Sequence, residues 1–170
     1  LCDRIGFAMA DTAIAASAMM AKEQGMFPKC SINAIMDTPY FEANTSAPTK
    51  ELVKKYGLHN SQLLTIAPTG TLSTMLGISG GIEPVFANYY VRKTESLHGK
   101  DVYYKVYTKI VDTYMKDHKL TDDSMLPDYF VTAMTLDYRQ RIDMQSVWQQ
   151  HIDASISSTV NVPNQFTVEE

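Results

Sequence analysis

The stretch LLTIAPTGTLSTMLGISGGIEP, residues 63–84, places a short apolar run directly before two glycine-containing turns. Its first five residues, LLTIA, are apolar apart from one threonine and are followed by Pro68 and Gly70. An apolar run this short, followed by proline and glycine, is typical of a buried strand. The second turn contains Gly77, Gly80 and Gly81, which force the chain to change direction again before Ile-Glu-Pro. The stretch therefore predicts a strand, a turn, a short helix and a second turn, an order that fits an α/β fold.

The first turn has the composition of an anion-binding loop. Its residues are Pro68, Thr69, Gly70, Thr71, Leu72 and Ser73. Gly70 can adopt backbone angles closed to other residues and leaves room for a ligand, and we expect Thr71 or Ser73 to cap a helix through Met75 and Leu76. The start of such a helix offers unpaired N–H groups to an anion.

A turn without any ligand is an equal alternative on the pattern alone, because Ser and Thr favour helix caps everywhere. The sequence contains neither GxxxxGK[ST] nor GxGxxG. The turn is therefore neither a nucleotide P-loop nor a dinucleotide-binding fingerprint.

Three strings of the chain match one known family in the same order. APTGTLSTMLGISGGIEPVFANYYVRKT, residues 67–94, closely resembles the segment with which ribonucleotide reductase large subunits grip the substrate diphosphate. Its PTGT form, followed by SGGIEPVFA, is most similar to the adenosylcobalamin-dependent class. HIDASISSTVNVP, residues 151–163, resembles that family's late helix and barrel strand, and AKEQGMFP, residues 21–28, is a weaker match.

The resemblance implies an α/β fold, namely a fragment of the later half of the reductase barrel that is helix-rich with a few parallel strands. It implies a single domain over residues 1–170. It also implies that residues 69–73 hold the substrate diphosphate through backbone N–H groups and hydroxyls, and that Pro68 shapes this turn.

The activity implied by the resemblance is that of an oxidoreductase, part of a ribonucleotide reductase that makes deoxyribonucleotides by thiyl-radical chemistry. The implied partners are a ribonucleoside di- or triphosphate and the remainder of the reductase chain. Adenosylcobalamin is the implied cofactor of the whole enzyme, with no contacts assigned here.

No catalytic residue is assigned. The family's catalytic cysteine lies on a finger loop that has no match here, and Cys2 and Cys30 stand in other contexts. We therefore expect the isolated chain to be inactive. The alternatives are a stand-alone phosphate- or nucleotide-binding module and a non-catalytic structural relic.

The composition is that of an ordinary globular domain, with 170 residues, 45% apolar and 20% charged. A net charge of −4 argues against a nucleic-acid partner. Two cysteines without Cys/His metal spacing predict no metal site and a reducing, cytoplasmic compartment. No apolar run approaches the length of a membrane span and no signal peptide opens the chain, so no membrane partner is expected.

Apolar spacing predicts the remaining elements. We expect a helix over residues 4–24 whose core-facing stripe is Ile5, Met9, Thr12, Ala13, Ala16, Met19 and Met20. Helices at 101–117 and 143–156 are expected to pack on one sheet that contains strands at 63–67 and 158–162. Residues 85–94 predict an extended segment, followed by a turn at His98 and Gly99. His151 is expected to be a satisfied core residue.

Overall fold

The computed structural model describes residues 1–95 and 101–167, with the backbone alone at Glu95. Its helices are α1 (Cys2–Gln24), α2 (Ile32–Met36), α3 (Pro39–Asn44), α4 (Ala47–Tyr56), α5 (Gly70–Leu76), α6 (Lys109–Asp117) and α7 (Tyr138–Gln149), with a 3₁₀ turn at Asp123–Met125. Strands β1 (Tyr89–Glu95) and β2 (Asp101–Tyr107) pair antiparallel. The turn predicted at His98 and Gly99 lies outside the described residues.

The chain divides into two compact units. The first unit comprises residues 1–67 and 142–157, and the second comprises residues 68–141 and the chain from residue 158. The single domain expected over residues 1–170 stays a prediction. The helix-rich, mixed α/β character is confirmed.

Helix α1 forms as predicted and ends at Gly25, but the expected core face is wrong. The face buried within the first unit carries small residues and one isoleucine, namely Gly6, Ala10, Ile14, Ser17, Ala18 and Ala21. Ile5, Met9, Met19 and Met20 are exposed instead. Small side chains let α1 approach α4 closely, and Ile14 and Ala18 join Phe41, Val53 and Leu58 in one apolar cluster.

The predicted strand at residues 63–67 is reduced to one parallel bridge, between Ile66 and Ile156. The N–H of Ile66 donates to the carbonyl of Ser155 at 3.1 Å, and the N–H of Ser157 donates to the carbonyl of Ile66 at 2.9 Å. The partner segment is thus 153–157, and the strand predicted at 158–162 is wrong among the described residues. The regular strands are antiparallel, so the expected parallel strands shrink to this bridge.

The helix predicted over residues 101–117 is wrong in its first half. Residues 101–107 form β2, whose Tyr and Val side chains favour a strand, and β1 pairs with it from Tyr89 opposite Tyr107 to Glu95 opposite Asp101. Only α6 keeps the helical pattern. The last predicted helix is also shifted, because α7 begins at Tyr138 and ends at Gln149.

Candidate phosphate-binding turn

Helix α5 begins directly after the turn, and its backbone differs from the sequence prediction. Thr69 is the N-cap and has φ 48°, ψ 29°, in the left-handed region. Gly70 is absent from the residues with positive φ, so the unusual backbone angles lie one position earlier than expected. The predicted caps are wrong, because Thr71 and Ser73 lie inside the helix and Thr69 caps it without a side-chain hydrogen bond.

The left-handed conformation of Thr69 carries a cost. A β-branched residue in this region is a genuine outlier, and such residues cost about 1–3 kcal/mol each. With Thr69 in this conformation, the chain passes from the turn into α5 at Gly70 without further residues between them. Strained residues of this kind cluster at ligand-binding sites, which makes the turn a candidate for one.

The backbone N–H groups at the start of α5 differ in their hydrogen bonding. The N–H of Ser73 donates to the carbonyl of Thr69 at 2.8 Å, whereas those of Gly70, Thr71 and Leu72 have no acceptor among the described residues. A Cβ built on Gly70 meets no atom within 4 Å. Three donors without a partner in the described chain therefore lie among exposed residues, at the end of the helix where anions are favoured, and the space beside Gly70 is open.

The hydroxyls of the turn have different roles. Ser73 is buried, and its hydroxyl donates to the carbonyl of Gly70 at 2.9 Å, as does the hydroxyl of Thr74. Thr69 Oγ1 accepts from the N–H of Gly81 at 3.3 Å. The Thr71 side chain is exposed, and its hydroxyl has no partner in the described part of the chain. Thr71 is thus the residue of this turn whose hydroxyl is available to a ligand.

The second glycine run lies against the back of the turn. A Cβ on Gly80 would fall 2.7 Å from the carbonyl oxygen of Pro68 and 3.3 Å from Ser73 Oγ. Gly80 must therefore be glycine if the Pro68 carbonyl is to stay in place. The N–H of Ile78 also donates to the carbonyl of Ser73 at 3.0 Å, which closes the end of α5.

The second unit contains a buried arginine that was not among the residues predicted from the sequence. Arg141, in the first turn of α7, is 4% exposed and donates through Nη2 to Glu83 Oε1 at 3.0 Å and to Ser158 Oγ at 2.7 Å. The sequence carries one signal for this burial, because Arg141 falls on the same face of a helix as the aromatic residues Tyr138 and Trp148.

The charged side chain of Lys105, in β2, is paired with Asp123 of the 3₁₀ turn. The Lys105 ammonium donates a hydrogen bond to the Asp123 carboxylate and lies 4.4 Å from the centre of the Tyr89 ring. The hydrogen bond from Lys105 lowers the pKa of Asp123, and the same bond raises the pKa of Lys105. Lys105 is therefore engaged with protein groups in the second unit.

The acidic, cysteine and histidine side chains of the described residues form no cluster for a metal ion. In the parts of the chain that the structure covers, no three His, Cys, Asp or Glu side chains are grouped so that they could hold a metal ion. His59 and His118 each pair through Nδ1 with a backbone carbonyl, and both ring nitrogens of the buried His151 are paired.

None of the described helices has the length and apolar character needed to cross a membrane.

Comparison with known proteins gives a consistent family. The family model for the ribonucleotide reductase barrel domain matches residues 1–170. A vitamin B12-dependent ribonucleoside-diphosphate reductase of Mycobacterium tuberculosis is 27% identical over 91% of this chain and 22% of its own length. That of Thermoplasma acidophilum is 28% identical over 91% of this chain and 20% of its own length. The ribonucleoside-diphosphate reductase subunit alpha of Chlamydia pneumoniae is 26% identical over 85% and 17%.

Proposed function

Because the chain belongs to the ribonucleotide reductase barrel-domain family, we propose that it is the part of a reductase that binds the substrate diphosphate. The chain spans about a fifth of the length of the M. tuberculosis and T. acidophilum relatives. The whole protein would reduce ribonucleotides to deoxyribonucleotides by thiyl-radical chemistry. This segment would contribute the turn at residues 68–73.

The observation that carries the proposal is a set of three exposed N–H groups, on Gly70, Thr71 and Leu72, that have no acceptor in the described chain, with open space beside Gly70. A diphosphate oxygen placed there would accept hydrogen bonds from backbone donors that are already held in position by the helix. Hydrogen bonds to a charged group contribute about 1.5–3 kcal/mol each, so two or three of them suffice for useful binding. The exposed Thr71 hydroxyl would add one more.

In this proposal the buried Ser73 hydroxyl stabilises the turn and does not contact the ligand. Since the Ser73 hydroxyl donates to the Gly70 carbonyl, Ser73 would hold the turn in shape and present its own N–H inward. Pro68 would shape the turn through its carbonyl, which lies against Gly80. The ligand would then contact residues 69–72, with Ser73 behind them.

Other parts of the reductase would complete the enzyme. The relatives from M. tuberculosis and T. acidophilum are named as vitamin B12-dependent, and we propose adenosylcobalamin as the cofactor of the whole protein. We propose that the remainder of the reductase chain holds the catalytic cysteine and the cobalamin. The natural setting of such an enzyme would be the cytoplasm.

The experiment compares two threonines of α5 in the full-length reductase. Thr71→Ala removes the unpartnered hydroxyl and should weaken binding of a nucleoside diphosphate about tenfold or more, because a bond to a charged group is lost. Thr74→Ala is the matched control: it removes a hydroxyl that donates to the Gly70 carbonyl, on the same helix. Its affinity should stay within about twofold of the wild type.

Isothermal titration calorimetry with a nucleoside diphosphate and with the triphosphate measures both variants and shows which substrate is preferred. Equal affinities of Thr71→Ala and wild type, with a lowered melting temperature, would make Thr71 a structural residue. The 170-residue chain alone should form no deoxynucleotide with adenosylcobalamin and a thiol. Product formed by that chain would contradict the assignment of the catalytic cysteine to another part of the protein.

A further inference from the structure

Arg141 is a buried cation with a single acidic partner in the described chain. Its Nη2 reaches both Glu83 and Ser158, whereas Nε and Nη1 are buried and have no hydrogen-bond partner among the described residues. A buried guanidinium needs a counter-charge and acceptors for its donors. The position of Arg141 is thus tied to the position of Glu83.

Glu83 is fixed from two sides. Its Oε1 accepts from Arg141 Nη2 at 3.0 Å and from the N–H of Thr159 at 2.6 Å. Its own N–H donates to the carbonyl of Gly80 at 3.1 Å. The side chain therefore anchors the end of the glycine run to α7 and to the segment at 158–159.

The glycine run in turn touches the proposed diphosphate-binding turn. Gly80 lies against the carbonyl of Pro68, and the N–H of Gly81 donates to Thr69 Oγ1. Any displacement of residues 80–81 would move the carbonyl of Pro68 or break the bond to Thr69. Thr69 is the residue held in the left-handed region, so its conformation depends on such support.

We infer that Arg141 is a positioning residue for diphosphate binding: through Glu83 it holds Gly80 and Gly81 against Pro68 and Thr69. In this proposal Arg141 does not contact the ligand. It affects binding by fixing the orientation of the N–H groups at Gly70, Thr71 and Leu72. The inference rests on the proposed function of the turn. It adds a residue more than sixty positions away in sequence, on another helix.

The test uses full-length reductase with Arg141→Met, Glu83→Gln and the double variant. Arg139→Met is the matched control, because Arg139 is an exposed arginine two positions away on α7 whose guanidinium lies over the Tyr138 ring. Calorimetry measures the affinity for a nucleoside diphosphate and for the same nucleoside without phosphate. Melting temperatures are measured in parallel.

We expect Arg141→Met and Glu83→Gln each to weaken diphosphate binding about tenfold, which corresponds to the loss of one well-placed charge-assisted bond. The double variant should be no weaker than the weaker single variant, because the two residues act as one unit. Affinity for the nucleoside should be unchanged in all variants. This last result separates a positioning role from general damage, which would weaken both ligands.

Arg141→Lys serves where the methionine variant fails to fold, since it keeps the charge and should recover part of the affinity. Wild-type diphosphate affinity in Arg141→Met, or in Glu83→Gln where the arginine variants do not fold, would overturn the inference. Gly70→Val distinguishes this failure from failure of the proposed function. If Gly70→Val abolishes binding and Arg141→Met does not, the turn binds diphosphate without Arg141; if Gly70→Val binds normally, the turn itself is not the site.

Discussion

His151 in the first unit and Arg141 in the second are both buried polar side chains, but they differ in how many of their polar atoms have a hydrogen-bond partner in the described chain. His151 Nδ1 is hydrogen-bonded to Asn44 Oδ1 at 2.6 Å, and its Nε2 lies 3.0 Å from Asp3 Oδ1. The Asn44 amide donates in turn to the carbonyls of Tyr40 and Gln150. Arg141, by contrast, pairs through Nη2 and leaves Nε and Nη1 without an acceptor in the described chain.

We interpret this difference as one between a structural polar cluster and a cluster that supports the proposed site. Buried polar groups are nearly always satisfied, and a complete network such as that of His151 fixes a unique packing. An incompletely satisfied group is costly and calls for a reason outside local packing. For Arg141 the reason we propose is the support of the diphosphate-binding turn.

The largest effect on stability is expected from splitting the Arg141–Glu83 pair. Glu83→Gln leaves the guanidinium buried without a counter-charge and should destabilise the protein by about 3 kcal/mol. Arg141→Met should cost only about 1 kcal/mol, because Glu83 is about one-third exposed and keeps the N–H of Thr159. Urea unfolding of both variants measures the asymmetry. A larger cost for Arg141→Met than for Glu83→Gln would contradict it.

A smaller effect is expected where α1 meets His151. A Cβ on Gly6 would lie 2.7 Å from His151 Cγ, so Gly6→Ala overpacks the cluster and should cost about 2 kcal/mol, offset by up to about 1 kcal/mol of helix propensity. The control is the same change in a His151→Ala background, where the clash is absent and Gly6→Ala should be neutral or stabilising. An equal cost in both backgrounds, measured by urea unfolding, would show that the imidazole is not the obstacle.

The smallest effect concerns Tyr40, whose hydroxyl donates to the carbonyl of His151 at 3.1 Å. Burial, and to a lesser extent the Asp153 carboxylate, raises the pKa of Tyr40 to about 12. Because this folded-state pKa exceeds the unfolded value of about 10, the contribution to stability is complete below pH 10 and is lost as the pH rises to 12.

Tyr40→Phe should therefore cost about 1 kcal/mol at pH 9, through the lost hydrogen bond, and lack this alkaline loss. The stability difference between wild type and variant should shrink between pH 10 and 12. Urea unfolding of both proteins between pH 10 and 12 measures this difference in the free energy of unfolding. A difference that stays constant over this range would contradict a raised pKa of Tyr40 in the folded protein.

The sequence predicts well where helices end. The helix predicted over residues 4–24 ends at Gly25, and α5 ends at Gly77 in the second predicted turn, because both positions have a positive φ that glycine adopts at little cost. The position of the candidate turn also follows from the sequence, since its residues are consecutive. The family resemblance is confirmed by the match over the whole chain.

Features that depend on distant residues are not predicted. The buried face of α1 is set by close approach of α4 to small residues, which apolar spacing alone does not indicate. Residues 101–107 carry spacing that suits either a helix or a strand, and pairing with β1 decides for the strand. The pairing of Arg141 with Glu83 joins residues far apart in sequence, so no local pattern reveals it.

The central claim, that residues 69–72 bind the substrate diphosphate, is tested most directly by Gly70→Val in the full-length reductase. The space around Gly70 is open in the described chain and its φ is not positive, so the fold should tolerate the side chain and keep its melting temperature. The valine should nevertheless exclude phosphate from the free N–H groups and weaken nucleoside diphosphate binding by at least about tenfold. Wild-type affinity in Gly70→Val, measured by calorimetry, would contradict the account.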